Sequence, residues 1–113
     1  KLSVLDVSFP NNVIFIFYQR VRSDKETVVL DLDETLIHSV GNIQDADVTL
    51  KVGKNVLKFN IRPYCYRFLE EMDKHYNVIV YTASTESYAH PIVEYLNKPK
   101  RTIKAVLSRG HCL

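Results

Sequence analysis

The sequence predicts an α/β fold built on a parallel sheet, and three observations predict it. Two compact apolar runs, Thr27–Leu32 and Asn77–Tyr81 ("NVIVY"), have the β-branched make-up of strands buried on both faces. Each is followed, directly or after an insert, by a stretch with apolar residues at helical spacing. A third short run, Ile103–Leu107, continues the alternation as a candidate third strand. Alternating units of this kind favour right-handed crossovers, and ligands then bind beyond the carboxyl ends of the strands.

Taken in order, residues 1–24 form an N-terminal flank whose structure the sequence leaves open. It holds a turn signal at Pro10-Asn11-Asn12, a short strand candidate at Val13–Tyr18 and a polar linker, "QRVRSDKE". The domain proper spans 25–113. After the first strand and a loop at Gly41–Asp47, Val48, Leu50 and Val52 alternate with polar residues. Leu57, Phe59 and Ile61 do the same beyond Gly53-Lys54-Asn55. Period-two spacing around a glycine turn predicts a β-hairpin insert with one apolar face. Pro63 is expected to open a helix with Cys65, Phe68, Leu69, Met72 and Tyr76 as its stripe. Ser84 or Thr85 caps a second helix, with Tyr88, Ile92 and Leu96 inward and Pro91 kinking or restarting it.

Composition bounds the function. The 113 residues fit one domain, and 46% hydrophobic content is enough for a core. A net charge of +2 is too mild to imply nucleic-acid binding. The densest basic cluster, Lys98–Lys104, reads as a solvated loop. The apolar run Val13–Tyr18 is too short to span a bilayer. Cys65 and Cys112 have no metal-ligand spacing, and Cys65 falls on a helical apolar face as a core thiol. A reducing compartment is the default. The chain begins at Lys1 and ends within a structured pattern, so a piece of a longer protein is expected.

The chemistry concentrates in "VVLDLDETLIHS", Val28–Ser39. A lone pair of aspartates two apart is most simply a turn after a strand. A calcium loop does not fit, because Leu36 stands where glycine is needed and Asn42 where glutamate is needed. The buried strand instead delivers Asp31 and Asp33 to the ligand-binding edge, and Thr82 and Ser84 end the next strand there. Magnesium suits an open, all-oxygen site and would neutralise the pair. A carboxylate beside a metal can attack phosphorus, a second can trade protons, and the Thr82 hydroxyl can hold a phosphoryl oxygen.

"DLDETLIHS" resembles the first motif of the haloacid dehalogenase (HAD) superfamily, and more narrowly its FCP/SCP-type phosphatases of the RNA polymerase II carboxy-terminal domain. "RPYCYRFLEEM", "VIVYTASTESYAHPIVEYL" and "SRGHCL" resemble later segments of that family, so the likeness covers about Thr27–Leu113. It implies a HAD-like, Rossmann-type core with a hairpin insert, incomplete at the C-terminus. It implies that Asp31 is the nucleophile and Asp33 the acid/base. The Asp31 carboxylate and the Asp33 backbone carbonyl ligate Mg2+. Thr82 binds phosphate, Thr35 sets the loop geometry, and Tyr88 and Arg109 touch the peptide substrate. The substrate implied is phosphoserine in proline-containing peptides, in the nucleus or cytoplasm, with the hairpin forming part of a pocket beside the site. Read without the resemblance, Tyr88 is a core residue of its helix, His38 a structural histidine in or near the core, and Ser84 a cap.

Two parts of the superfamily pattern are missing after "SRGHC": a phosphate-holding lysine and a later acidic motif. The expectation is therefore weak or no phosphatase activity from this chain alone, with an open sheet edge where a fourth strand belongs. Two other functions compete. One is a non-catalytic receptor domain, like that of a mitochondrial import translocase subunit. The other is a phosphatase of small phosphometabolites, against which the hairpin insert argues.

Overall fold

The computed structural model describes residues 13–110. The turn signal at Pro10–Asn12, His111 and Cys112 lie outside them. The elements are β1 (Val13–Phe17), β2 (Glu26–Asp31), β3 (Ile37–Ser39), β4 (Val48–Val52), β5 (Asn55–Ile61), α1 (Cys65–His75), β6 (Tyr76–Thr85), α2 (Glu86–Leu96) and β7 (Ile103–Arg109). A single 3-10 turn, Ile43–Asp45, punctuates the loop before β4.

The main sheet has the order β1-β7-β6-β2. β2, β6 and β7 are parallel, and β1 joins β7 antiparallel. The chain moves the same way across the sheet at both crossovers, so right-handed connections place α1 and α2 on one face. The burial pattern agrees. Val28, Val78, Val80 and Val106 share a core with Cys65 and Leu69 of α1 and Ala89, Ile92, Val93 and Leu96 of α2. The alternate residues Ile79, Ala105 and Leu107 face the other way, with Val13 and Tyr81 against them. Strand pleating makes this division, since neighbouring residues point to opposite faces.

A second, smaller sheet has the order β3-β5-β4, all antiparallel. Its β4–β5 hairpin turns at Gly53, where φ is +61°. Phe59 and Ile37 are fully buried and join this sheet to the helical side of the core.

The structure corrects several expectations. Pro63 does not open α1. The segment Arg62–Cys65 is a turn, with Tyr64 at φ +66° and the Cys65 N–H donating to the Arg62 carbonyl at 3.0 Å. Phe68 leaves the apolar stripe and is 41% exposed. Tyr76 is not the last turn of the helix but the first residue of β6, paired in register with Glu26. Pro91 does not restart α2, which is one element through it. Proline within a helix costs about 3 kcal/mol, and four side chains of this helix buried to 1% or less offset that. Lys104 is not solvated: it lies in β7 and its ammonium reaches Asp73 of α1 at 3.0 Å, largely out of water. Cys65 is buried as expected, and burial pushes its thiol up to about 11.

Candidate active site

Asp31 is the last residue of β2, opposite Tyr81 of β6. Its backbone is held by the parallel ladder while its side chain is exposed. Leu32 follows with no exposure and donates its N–H to the Tyr81 carbonyl at 2.9 Å, so the strand's direction carries past its formal end. The chain then turns back tightly. Leu36 and Ile37 both donate to the Leu32 carbonyl, at 3.0 and 3.2 Å, and Glu34 donates to the Ile37 carbonyl at 2.8 Å. Glu34 adopts φ +66° to close this turn. That conformation is uncommon outside glycine and costs about 1–3 kcal/mol, so the surroundings must hold it.

Arg62 does much of the holding. Its guanidinium donates to the Glu34 carbonyl at 2.9 Å and its own N–H donates to the Leu36 carbonyl at 2.9 Å. The Glu34 carboxylate faces Arg62 at 3.6 Å and the His38 imidazole at 2.7 Å. His38 is thus an exposed partner of Glu34 and not a core residue: β3 turns Ile37 inward, and the next side chain must point out.

Asp33 is held from two sides. Thr82 Oγ1 donates to Oδ2 at 2.7 Å, and the Tyr88 hydroxyl donates to Oδ1 at 2.8 Å. Thr82 is buried at the end of the regular part of β6, where the register with β7 shifts between Tyr81 and Thr85. Its oxygen also accepts the Ser84 N–H at 3.1 Å. Ser84 therefore lies inside β6 and supports Thr82; Thr85 is the N-cap of α2, with no side-chain capping bond. The Tyr88 ring packs against the core while its hydroxyl meets Ser39 Oγ at 2.6 Å as well as Asp33. Burial first, and then the Asp33 carboxylate, push the phenol up to about 12, with the Ser39 hydrogen bond acting the other way.

Four expected residues, Asp31, Asp33, Thr82 and Tyr88, thus meet at the carboxyl edge of β2 and β6. Thr35 lies exposed in the turn after Asp33, where the bonds that fix the loop come from backbone groups and from Arg62. Arg109 ends β7 opposite Thr85, exposed on the same edge. It is two strands from Asp31 and two residues beyond Leu107, which the register places level with Asp31 through Tyr81. Sequence reading missed Ser39, Glu34 and Arg62, whose side-chain bonds here reach 28 to 49 residues away apart from the Glu34–His38 pair.

Oxygen donors fit a hard cation. The Asp31 carboxylate and the Asp33 backbone carbonyl are the groups that could hold such an ion. Among the described residues no group of three or more His, Cys, Asp or Glu side chains could hold a metal. No helix among them is long and apolar enough to cross a membrane.

Fold and site together define a class: an α/β domain with a carboxylate pair and a neighbouring hydroxyl at the carboxyl edge of a parallel sheet. Residues 26–113 match the NLI interacting factor-like phosphatase family, from the first residue of β2 onward. The chain belongs to that family, the FCP/SCP-type domain of the haloacid dehalogenase superfamily that its motifs resemble. It is 37% identical over 95 residues to nuclear envelope morphology protein 1 of Schizosaccharomyces pombe, covering 78% of this chain and 20% of that protein. It is 35% identical over 100 residues to CTD small phosphatase-like protein 3 of Caenorhabditis elegans, covering 83% and 35%. A solved fission yeast RNA polymerase II CTD phosphatase, bound to beryllium fluoride, shares the fold with a TM-score of 0.55 at 23% identity. That match covers 74% of this chain and 29% of the other. The chain therefore spans only about a fifth to two fifths of the first curated relatives it matches.

Proposed function

We propose that this domain is a magnesium-dependent protein serine/threonine phosphatase that works through an aspartyl-phosphate. One observation carries the reading. Asp31 projects into solvent from the end of a buried parallel strand, while Asp33 beside it is fixed by Thr82 and Tyr88. One carboxylate is free to react and the other is held to move protons.

In this reading, Asp31 attacks phosphorus, and the serine oxygen departs with the proton that Asp33 carries into this step. Water then attacks the acyl phosphate, giving its proton to Asp33 and returning the Asp31 carboxylate. Bound magnesium supplies charge neutralisation for the phosphoryl oxygens. The Thr82 hydroxyl turns from Asp33 to a phosphoryl oxygen, and Tyr88 and Arg109 border the peptide. Phosphoserine in proline-containing peptides is the substrate class, supported by relatives named as phosphatases of the RNA polymerase II C-terminal domain. Other relatives are named for the nuclear envelope, which supports a nuclear-associated location.

Turnover by this polypeptide alone is expected to be slow. The lysines of the α2–β7 turn, Lys98 and Lys100, lie at the amino end of β7, and Lys104 is committed to Asp73. None of these three lysines is therefore placed to clamp the phosphate. The test is phosphate release from a phosphoserine–proline peptide. Slow, magnesium-dependent release that Asp31→Asn abolishes is expected. Release unaffected by that substitution, or none with magnesium in excess, would contradict the proposal.

A further inference from the structure

We propose that Ser39 is a positioning residue for this site, acting on Asp33 through Tyr88. The Tyr88 hydroxyl has one proton and two oxygen neighbours, Asp33 Oδ1 at 2.8 Å and Ser39 Oγ at 2.6 Å. Once Asp33 has given its proton to the leaving group its carboxylate can only accept, so in that state the phenol proton goes to Asp33. The phenol oxygen is then left as an acceptor, and the Ser39 hydroxyl must donate to it. The chain has one direction: Ser39 to Tyr88 to Asp33.

A second directed chain reaches the other carboxylate oxygen, from the Ser84 N–H to Thr82 and on to Oδ2. Before phosphate binds, a donor on each oxygen fixes the plane of the Asp33 side chain; once Thr82 turns to a phosphoryl oxygen, the Ser39–Tyr88 chain is the one that still holds it. The two chains start from different bodies. Ser84 belongs to the main sheet, whereas Ser39 is the end of β3 and pairs with Phe59 of the small sheet. Ser39 therefore couples the orientation of the acid/base to the small sheet. A water replacing its hydroxyl would also donate to the phenol, but would not be tied to β3.

The kinetic part of this inference rests on the phosphatase reading, so its test has an arm that needs no turnover. Wild type, S39A, S39T, Y88F and the S39A/Y88F double variant are compared in two ways. The first is kcat and KM on a phosphoserine–proline peptide. The second is the side-chain carboxyl 13C resonance of Asp33, assigned with D33N. S39A is expected to lower kcat about tenfold, less than the roughly 100-fold of a 1 Å misplacement. KM should change less than twofold, and S39T should restore most of kcat. S39A should shift the Asp33 resonance in wild type and not in the Y88F background. An unmoved resonance, or equal effects of S39A in both backgrounds, overturns the proposal. A coupled resonance shift without turnover supports it and overturns the phosphatase reading instead.

Discussion

The two ends of the parallel sheet use polar side chains in opposite ways. At the amino end, polar groups are spent on the fold. Asn77, fully buried, bonds the Arg22 N–H and the Arg22 and Lys25 carbonyls. Asn97 closes the α2–β7 turn by accepting from and donating to the Ile103 backbone at 3.0 and 3.1 Å. Lys104 pairs with Asp73. At the carboxyl end, Asp33 collects two hydroxyl donors, and the side chain of Asp31 takes none of the bonds that hold its neighbour. The difference teaches where to look for chemistry. Groups that mend the backbone are structural, and a fixed carboxylate beside an exposed one is the arrangement the proposed reaction needs.

If the comparison holds, substitutions at the two ends should separate activity from stability. The largest effect belongs to Asp31→Asn, which should cut phosphate release about 1000-fold or more. Its unfolding free energy should change by less than about 0.5 kcal/mol, as for an exposed site; a denaturant titration of both proteins checks this. Next comes Lys104→Ala at the other end. It leaves the largely buried Asp73 carboxylate unpaired and should cost about 3–5 kcal/mol by the same titration. Asn77→Ala should follow at about 2–3 kcal/mol, since three backbone groups lose a partner. In both, turnover per folded molecule should stay near that of the parent. A loss of turnover larger than the loss of folded protein would break the comparison.

A smaller effect sharpens the carboxyl end. The Tyr88 phenol is raised from 10.0 to about 12, so the folded chain holds that proton more tightly than the unfolded chain. The stability this contributes is fully present below pH 10 and is lost as pH rises from 10 towards 12. Difference titration of the parent against Y88F, followed by phenolate absorbance, should show one group missing near pH 12 and none near 10. The smallest effect is Arg22→Ala. It removes an exposed ion pair with Asp24 and keeps the backbone bonds to Asn77, so no change in melting temperature should be measurable.

Much of this was legible in the sequence because it follows from short-range pattern. The compact run Thr27–Leu32, buried on both faces, delivers Asp31 and Asp33 to the carboxyl edge of the sheet, and the parallel crossovers bring Thr82 to the same edge. What was not legible depends on long-range partners. The stripe of α2 places the ring of Tyr88, but its hydroxyl is spoken for by Asp33 and Ser39, 55 and 49 residues away. Lysines in "KPKRTIK" look alike until β7 alternation sends Lys104 towards Asp73. Tyr76 continues the helical spacing of Met72, yet ladder pairing with Glu26 wins. The start of α1 was misread because Tyr64 takes a left-handed conformation without the glycine or asparagine that usually signals one.

The central claim is that Asp31 carries the phosphoryl group. Borohydride reduces an acyl phosphate on an aspartate to homoserine, which peptide mapping detects as a mass change. Quenching the reaction with borohydride during turnover of a phosphoserine–proline peptide with magnesium should convert residue 31 alone. The change should be absent without magnesium or without the peptide. Phosphate accumulating with no change at Asp31, or with the change at Asp33 instead, would contradict the account.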